Sequence, residues 1–135
     1  MDITGIIETC LYAEDLSAAK HFYQGLPGIT LVSEENGRHL FFRCANQMLL
    51  IFNPRHTSKE QTEVNGSIIP LHGAIGAIHI AFKIEKDTLD NWKALLREKE
   101  IEIESEVKWP NGSASVYFRD PAGNSLEIVE PGLWE

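Results

Sequence analysis

Apolar residues along this chain recur first at every second position, then at helical spacing, and then at every second position again. From Ile6 to Ala13 they alternate, placing Ile7, Leu11 and Ala13 on one face of a predicted strand and Glu8, Cys10 and Tyr12 on the other. Glu14-Asp15-Leu16-Ser17 supplies helix-start chemistry, and Leu16, Ala19, Phe22 and Tyr23 then follow at helical spacing as far as Gly25. Alternation returns from Ile29 to Glu34. Asn36-Gly37 is a strong hairpin signal, His39 to Cys44 makes a third strand, and Met48 to Phe52 a fourth that ends at Pro54.

Arg55 to Gly73 has no clear period and reads as one long irregular stretch, a length that inside a compact domain points to a lid or linker. The alternation then restarts. Between Ala77 and Ile84 the residues Ile78, Ile80, Phe82 and Ile84 share one face, and Ala77, His79, Ala81 and Lys83 the other. Asp87 or Thr88 can cap a helix with Leu89, Trp92, Leu95 and Leu96 on one stripe. Ile101 to Glu104 reads as a strand and Trp109 to Gly112 as a loop. The closing pair of strands, Ser115 to Val129, folds over Asp120-Pro121-Ala122-Gly123, an order favoured by type I turns. In the last strand Leu126 and Ile128 face one way, and Ser125, Glu127 and Val129 the other. A carboxylate at Glu127, among apolar neighbours, costs several kcal/mol unless something neutralises it.

The two halves match element for element, βαβββ followed by βαβββ. Glu8 to Glu14 overlays His79 to Glu85, Ile29 to Glu34 overlays Ile101 to Glu106, and Gln47 to Pro54 overlays Asn124 to Pro131. Glu8 and His79 are then equivalent, as are Leu50 and Glu127. A pseudo-two-fold would bring three potential metal ligands onto four related positions, with Leu50 filling the fourth. The expected organisation is a single domain made of module one at about 5–54, a linker at about 55–75 and module two at about 76–131.

Composition narrows the partners. A net charge of −8 argues against nucleic acid and anionic membrane, and suits a metal ion or a cationic ligand. Two cysteines, Cys10 and Cys44, make no disulfide framework, and no signal peptide or long apolar run is evident, so the expectation is a soluble cytoplasmic protein. Asn65-Gly66-Ser67 and Asn111-Gly112-Ser113 read as turns rather than glycosylation sites. Each candidate ligand also has a plainer reading: Glu8 and Glu127 as solvated strand residues, and His79 between two alanines as a core histidine. Arg43 and Arg119, also equivalent, read as structural salt-bridge partners or as clamps for a substrate carboxylate. His56 and His72 lie in the long stretch, His21 on the first helix, and the facing of His39 is not fixed by its surroundings. Tyr117 and Trp109 read as pocket wall or core.

The stretches Glu8 to Leu16 with Phe22-Tyr23, Gly76 to Phe82, and Tyr117 to Glu127 together resemble the vicinal oxygen chelate superfamily, which includes glyoxalases, bleomycin- and fosfomycin-resistance proteins and extradiol dioxygenases. The resemblance covers nearly the whole chain and implies an α+β fold. Two βαβββ modules would form a cupped mixed sheet with helices on the outer face. It implies one divalent metal (Mn, Fe, Mg, Zn or Ni) held by Glu8, His79 and Glu127, with Glu127 also the carboxylate on which catalysis depends. It further implies a small-molecule substrate that chelates the ion through two neighbouring oxygens, and a homodimer in which Glu8 of one chain meets His79 and Glu127 of the other. The apolar residues Met48, Leu50 and Phe52 would lie where a partner covers them. Leu50 stands where glyoxalases of this type carry a further Glu, and leucine can neither ligate nor shuttle protons. The resemblance leaves lyase, isomerase, thiol-transfer and dioxygenase chemistry open. It also leaves open a non-catalytic protein, like the bleomycin-resistance members, that sequesters a cationic small molecule.

Overall fold

The computed structural model describes residues 1–135, and its internal contacts divide the chain into two units, Met1–Gly76 and Ala77–Glu135. The first unit runs β1 (Glu8–Tyr12), α1 (Leu16–Gln24), β2 (Ile29–Glu35), β3 (His39–Cys44) and β4 (Gln47–Phe52). It continues with α2 (Pro54–Thr57), β5 (Thr62–Val64) and β6 (Ser67–Ile69). The second runs β7 (His79–Lys83), α3 (Leu89–Glu98), β8 (Ser105–Lys108), β9 (Ala114–Arg119) and β10 (Ser125–Val129). The main sheets are ordered β1-β4-β3-β2 and β7-β10-β9-β8, so the same topology is built twice and the fold is α+β with two βαβββ modules. In each, the first and last strands pair in parallel and all other neighbours are antiparallel. Only a crossover can join parallel strands, and the helix with its following strands provides it.

Register carries the repeat down to single residues. Glu8 pairs with Met48 and Cys10 with Leu50, while His79 pairs with Ser125 and Ala81 with Glu127. Glu8 and His79 therefore occupy matching positions, as do Leu50 and Glu127. One face of each sheet meets its helix. Leu11, Phe42, Leu49 and Ile51 are buried with Ala19 and Tyr23 of α1, and Val116, Phe118, Leu126 and Ile128 are buried with Leu96 of α3. Asp15 caps α1 by accepting from the Ala18 N–H at 3.0 Å. Thr88 stands at the N-cap of α3, but its hydroxyl instead donates to the Glu85 carbonyl at 2.7 Å.

Three elements differ from the pattern-based expectation. The stretch after Pro54 is not wholly irregular. Asn53 caps the short α2, and β5 pairs with β6 across Asn65-Gly66, both at positive φ (49° and 81°), which an Asn-Gly turn tolerates. The first strand starts at Glu8, leaving Ile6 and Ile7 exposed. The strand expected at Ile101 to Glu104 pairs instead at Ser105–Lys108. Its residues are spent on closing α3: Glu100 adopts φ 56°, its N–H donates to the Arg97 carbonyl, and the Ile101 N–H donates to the Leu96 carbonyl at 2.8 Å. That is a left-handed helix stop with an apolar residue just beyond it.

The turn between β9 and β10 fixes where the last strand begins. Asp120 Oδ1 accepts from the N–H groups of Ala122 (3.0 Å) and Asn124 (2.9 Å), and Oδ2 accepts from the Asn124 amide at 2.8 Å. The Asn124 side-chain oxygen then accepts from the Ile78 N–H at 3.3 Å, tying the turn to the entry of β7. Asp120 is only 5% exposed, so Asp120→Ala strands several donors away from water. At about 1–3 kcal/mol per unsatisfied group, it should cost about 2–4 kcal/mol in urea unfolding. Asp90→Ala, on the surface of α3, should cost under about 1 kcal/mol.

Candidate functional site

Glu127 lies in the middle of β10, the strand flanked by β7 and β9, and is 4% exposed. Antiparallel register sets Tyr117 directly opposite it and Ser115 opposite Val129, so Ser115, Tyr117 and Glu127 share one face. The Ser115 hydroxyl donates to Glu127 Oε1 at 2.5 Å. On the other side, His79 Nε2 lies 3.3 Å from Glu127 Oε2. The Tyr117 ring stacks beside the imidazole, with centroids 6.0 Å apart and planes at 23°. Burial, then the Glu127 charge and a hydrogen bond to it, push the Tyr117 hydroxyl above the usual phenol range, so it stays a donor at neutral pH. The buried carboxylate is thus held by hydrogen-bond donors on one side and an imidazole on the other.

The imidazole's orientation decides what this pair can do. His79 Nδ1 lies 2.9 Å from the Ser125 carbonyl, which can only accept, so Nδ1 carries a proton and Nε2 presents its lone pair in the neutral ring. Nε2 and Oε2 are then two acceptors facing each other across 3.3 Å. Such a pair needs a shared cation: a proton that makes the ring an imidazolium, or a metal ion bound by both. At metal–ligand lengths of about 2.0–2.2 Å, two donors at this separation can reach one ion. The backbone carbonyl behind the ring is the usual anchor of a metal-ligating histidine. One nitrogen and one carboxylate fit a borderline-to-hard divalent ion.

Glu8, the third expected ligand, lies at the exposed start of β1 in the first unit. Within one chain no group of three or more His, Cys, Asp or Glu side chains is placed to hold a metal ion. Leu50, in the position matching Glu127, is 7% exposed between Cys10 and Phe41 on the ladder. Leu50 and Phe52 are both buried within the chain, so the apolar face expected to need a partner's cover is not left wet. Burial, and after it the Glu8 charge, raises the Cys10 thiol, which lowers its thiolate fraction at neutral pH.

Where the second unit has a carboxylate, the first has an aromatic cluster. His39 stacks on Phe41 with centroids 3.9 Å apart, and Phe41 and Phe52 meet edge to face. His72, which sequence alone placed only in the long stretch after Pro54, lies edge-on to Phe52 and 2.7 Å from the Tyr12 hydroxyl through Nδ1. His56 remains exposed and pairs with Glu60. Arg119 grips Glu104 through two hydrogen bonds, of 2.8 and 3.1 Å, and also donates to the Gly123 carbonyl; its role is structural. Ser115 was missed by sequence reading. Counting back from the Asp120 turn through the alternating strand would have placed it on the Glu127 face.

His39 yields a pH prediction. Burial first, and then the Arg38 guanidinium that donates to its Nδ1 at 3.1 Å, hold its pKa below the usual imidazole value, with Glu35 opposing. The unfolded chain therefore binds the extra proton first, and stability is lost as pH falls through about 6.5. In urea unfolding at pH 7 and pH 5, His39→Phe should show a smaller loss on acidification than the wild type; an equal loss would show that His39 is not the group responsible.

Residues 5–128 match the Glyoxalase/Bleomycin resistance protein/Dioxygenase superfamily. The crystal structure of a lactoylglutathione lyase from Agrobacterium tumefaciens is 44% identical, covers 99% of this chain and 98% of its own, and superposes with a TM-score of 0.90. The metallothiol transferase FosB of Staphylococcus epidermidis is 26% identical over 95% of this chain and 82% of its own length. The fosfomycin resistance protein FosX from Listeria monocytogenes, complexed with Mn(II) and sulfate ion, is 20% identical, covers 98% of this chain and 94% of its own, and shares the fold at a TM-score of 0.71. No helix of this chain is long and apolar enough to cross a membrane. With the match spanning both βαβββ modules and Glu127 itself, the chain belongs to the glyoxalase/bleomycin resistance/dioxygenase, or vicinal oxygen chelate, superfamily.

Proposed function

We propose that this protein is a divalent-metal-dependent enzyme acting on a small substrate that presents two neighbouring oxygens, with His79 and Glu127 as metal ligands and Glu8 as the third. The observation that carries the reading is the facing pair of acceptors, His79 Nε2 and Glu127 Oε2, with the imidazole anchored from behind by the Ser125 carbonyl. A proton on Nε2 would satisfy the same two contacts as an ion pair, and metal uptake decides between the two. The enzymes among the relatives, a lactoylglutathione lyase and a metallothiol transferase, support catalysis in general. A bound divalent ion would polarise the substrate oxygens and stabilise negative charge developing on them.

The chain's own residues do the rest. Glu127, held by the Ser115 donor, supplies a fixed carboxyl group. His79 supplies Nε2, turned toward the carboxylate by the Nδ1 contact with the Ser125 carbonyl. Tyr117, whose hydroxyl stays protonated, offers a hydrogen bond beside the imidazole. Leu50 leaves the first module without a carboxylate at the position matching Glu127, so a proton relay between two protein carboxylates is not part of this reading despite the lyase relative. Lyase, isomerase, thiol-transfer or dioxygenase steps that need a single carboxylate fall within it.

After chelator treatment, the wild type should take up about one Mn(II), Fe(II), Zn(II), Mg(II) or Ni(II) per chain. At a hundredfold excess over Kd that ion should stabilise the protein by about 2.7 kcal/mol. Uptake should weaken on acidification, since a proton competes for the histidine nitrogen. His79→Ala and Glu127→Ala should each abolish uptake. Full occupancy in Glu127→Ala, or none in the wild type with any of these ions, sinks the proposal.

The same reading makes the active species a homodimer, with Glu8 of one protomer completing the pair on the other. It rests on the exposure of Glu8 at the start of an edge strand. Glu8→Ala and Glu127→Ala, each dead alone, should complement when dissociated and remixed. Half of the dimers are then mixed and each rebuilds one of its two sites, giving about one ion per four chains. If the remixed protein is dimeric by light scattering but takes up no metal, shared sites are ruled out.

A further inference from the structure

One side-chain chain beside the carboxylate is not absorbed by the reading above. Trp109 lies in the loop before β9, and its indole Nε1–H donates to Ser115 Oγ at 2.8 Å. Ser115 is 1% exposed, so no bulk water competes for it. A hydroxyl has a single proton and two lone pairs, whereas an indole N–H can only donate. With the indole on its lone pair, the Ser115 proton is left for Glu127 Oε1, 2.5 Å away. The order Trp109 N–H to Ser115 O–H to Glu127 Oε1 therefore runs in one direction only.

The indole is not placed by its own packing alone. The Trp109 N–H donates to the Ser113 carbonyl at 2.8 Å, and its carbonyl accepts from the Gly112 N–H at 2.9 Å. The Asn111 amide donates to the carbonyls of Gly132 (2.9 Å) and Leu133 (3.2 Å), and the Ser113 hydroxyl to that of Pro131 (3.2 Å). The loop is clipped at its middle and at its far end to the segment that follows β10.

We propose that Trp109 and Ser115 are a positioning pair for Glu127: the indole commits the Ser115 proton to Oε1, which fixes the carboxylate rotation and turns Oε2 to the His79 side. This deepens the metal-site reading and rests on it for its consequence, namely that an indole not itself among the ligands tunes metal affinity. Neither residue touches the ion or the substrate in this scheme; Trp109 acts through Ser115, and Ser115 through Glu127. Hydrogen bonds in series reinforce one another, so a change at the carboxylate should be felt at the indole.

Two readouts test it, one without metal. In ¹⁵N–¹H spectra of the apo protein, the chain's three indoles, Trp92, Trp109 and Trp134, give separate N–H signals. That of Trp109 should lie downfield of that of the exposed Trp134. Ser115→Ala should move it upfield, and Glu127→Gln should move it the same way by less, while Trp92 stays put as a check on the fold. A Trp109 signal indifferent to Glu127→Gln would show that the relay stops at Ser115 and would overturn the proposal. The second readout is Mn(II) affinity. Trp109→Phe keeps the ring bulk and removes the N–H, and it should weaken binding by about tenfold, the low end for residues that support metal ligands. In a Ser115→Ala background the same change should have little further effect, because its route is already cut. Affinity within twofold of wild type in Trp109→Phe, or the same tenfold loss in both backgrounds, overturns the proposal. A wild type that binds none of the divalent ions named above would defeat the metal reading, and the indole shifts would still decide the relay.

Discussion

The second unit is arranged around a charge that has been taken out of water. Several kcal/mol of desolvation at Glu127 must be offset locally, and three strands each contribute: β9 brings Ser115 and Tyr117, β7 brings His79, and β10 itself supplies the Ser125 carbonyl that orients the imidazole. None of these partners could serve if β10 were shifted by one residue, because a slip in register sends every side chain to the other face. The Asp120–Asn124 turn is the device that prevents this. It fixes the first residue of β10 against both β9 and the entry of β7.

The two modules show what a shared topology does and does not impose. Strand order and ladder register are the same in both, down to the pairing that makes Leu50 the counterpart of Glu127. The chemistry is not the same. One module uses that position to hold a carboxylate in a polar cage, whereas the other fills it with a leucine beneath a cluster of Phe41, Phe52, His39 and His72. A position equivalent in the backbone need not be equivalent in role. Here the difference shows directly in which side chains can reach it.

Much of this was legible in the sequence, for physical reasons. Alternating apolar residues and strong turn signals located every strand of the two main sheets except β8 to within a few residues, and the internal match made Glu127 the equivalent of Leu50. The offset of β8 from Ile101 to Ser105 escaped because Ile101 serves the helix stop, a demand of backbone geometry that no hydrophobic pattern reveals. The hairpin β5–β6 escaped because its strands are three residues each, too short to show a period. At the site, His79 and Glu127 were legible as candidates and the structure brings them together. Ser115 and the tautomer of His79 were not, since a serine in a strand carries no signal of its own and the ring's anchor is a main-chain carbonyl. The aromatic surroundings of His39 and His72 likewise depend on how a polar loop folds back.

The strand order also has a consequence in time. β10 is the last strand of the chain and yet an inner one, lying between β7 and β9. During synthesis β7, α3, β8 and β9 emerge first, but β7 has no ladder partner in its own sheet until residues 125–129 arrive. Pairing strands more than forty residues apart is slow, because loop closure must precede any gain in contacts. The carboxylate at Glu127 is thus born on the segment that closes the sheet. The unit can acquire its buried charge only in the same step that completes its fold, so a nascent or truncated chain does not expose a half-built site of this kind.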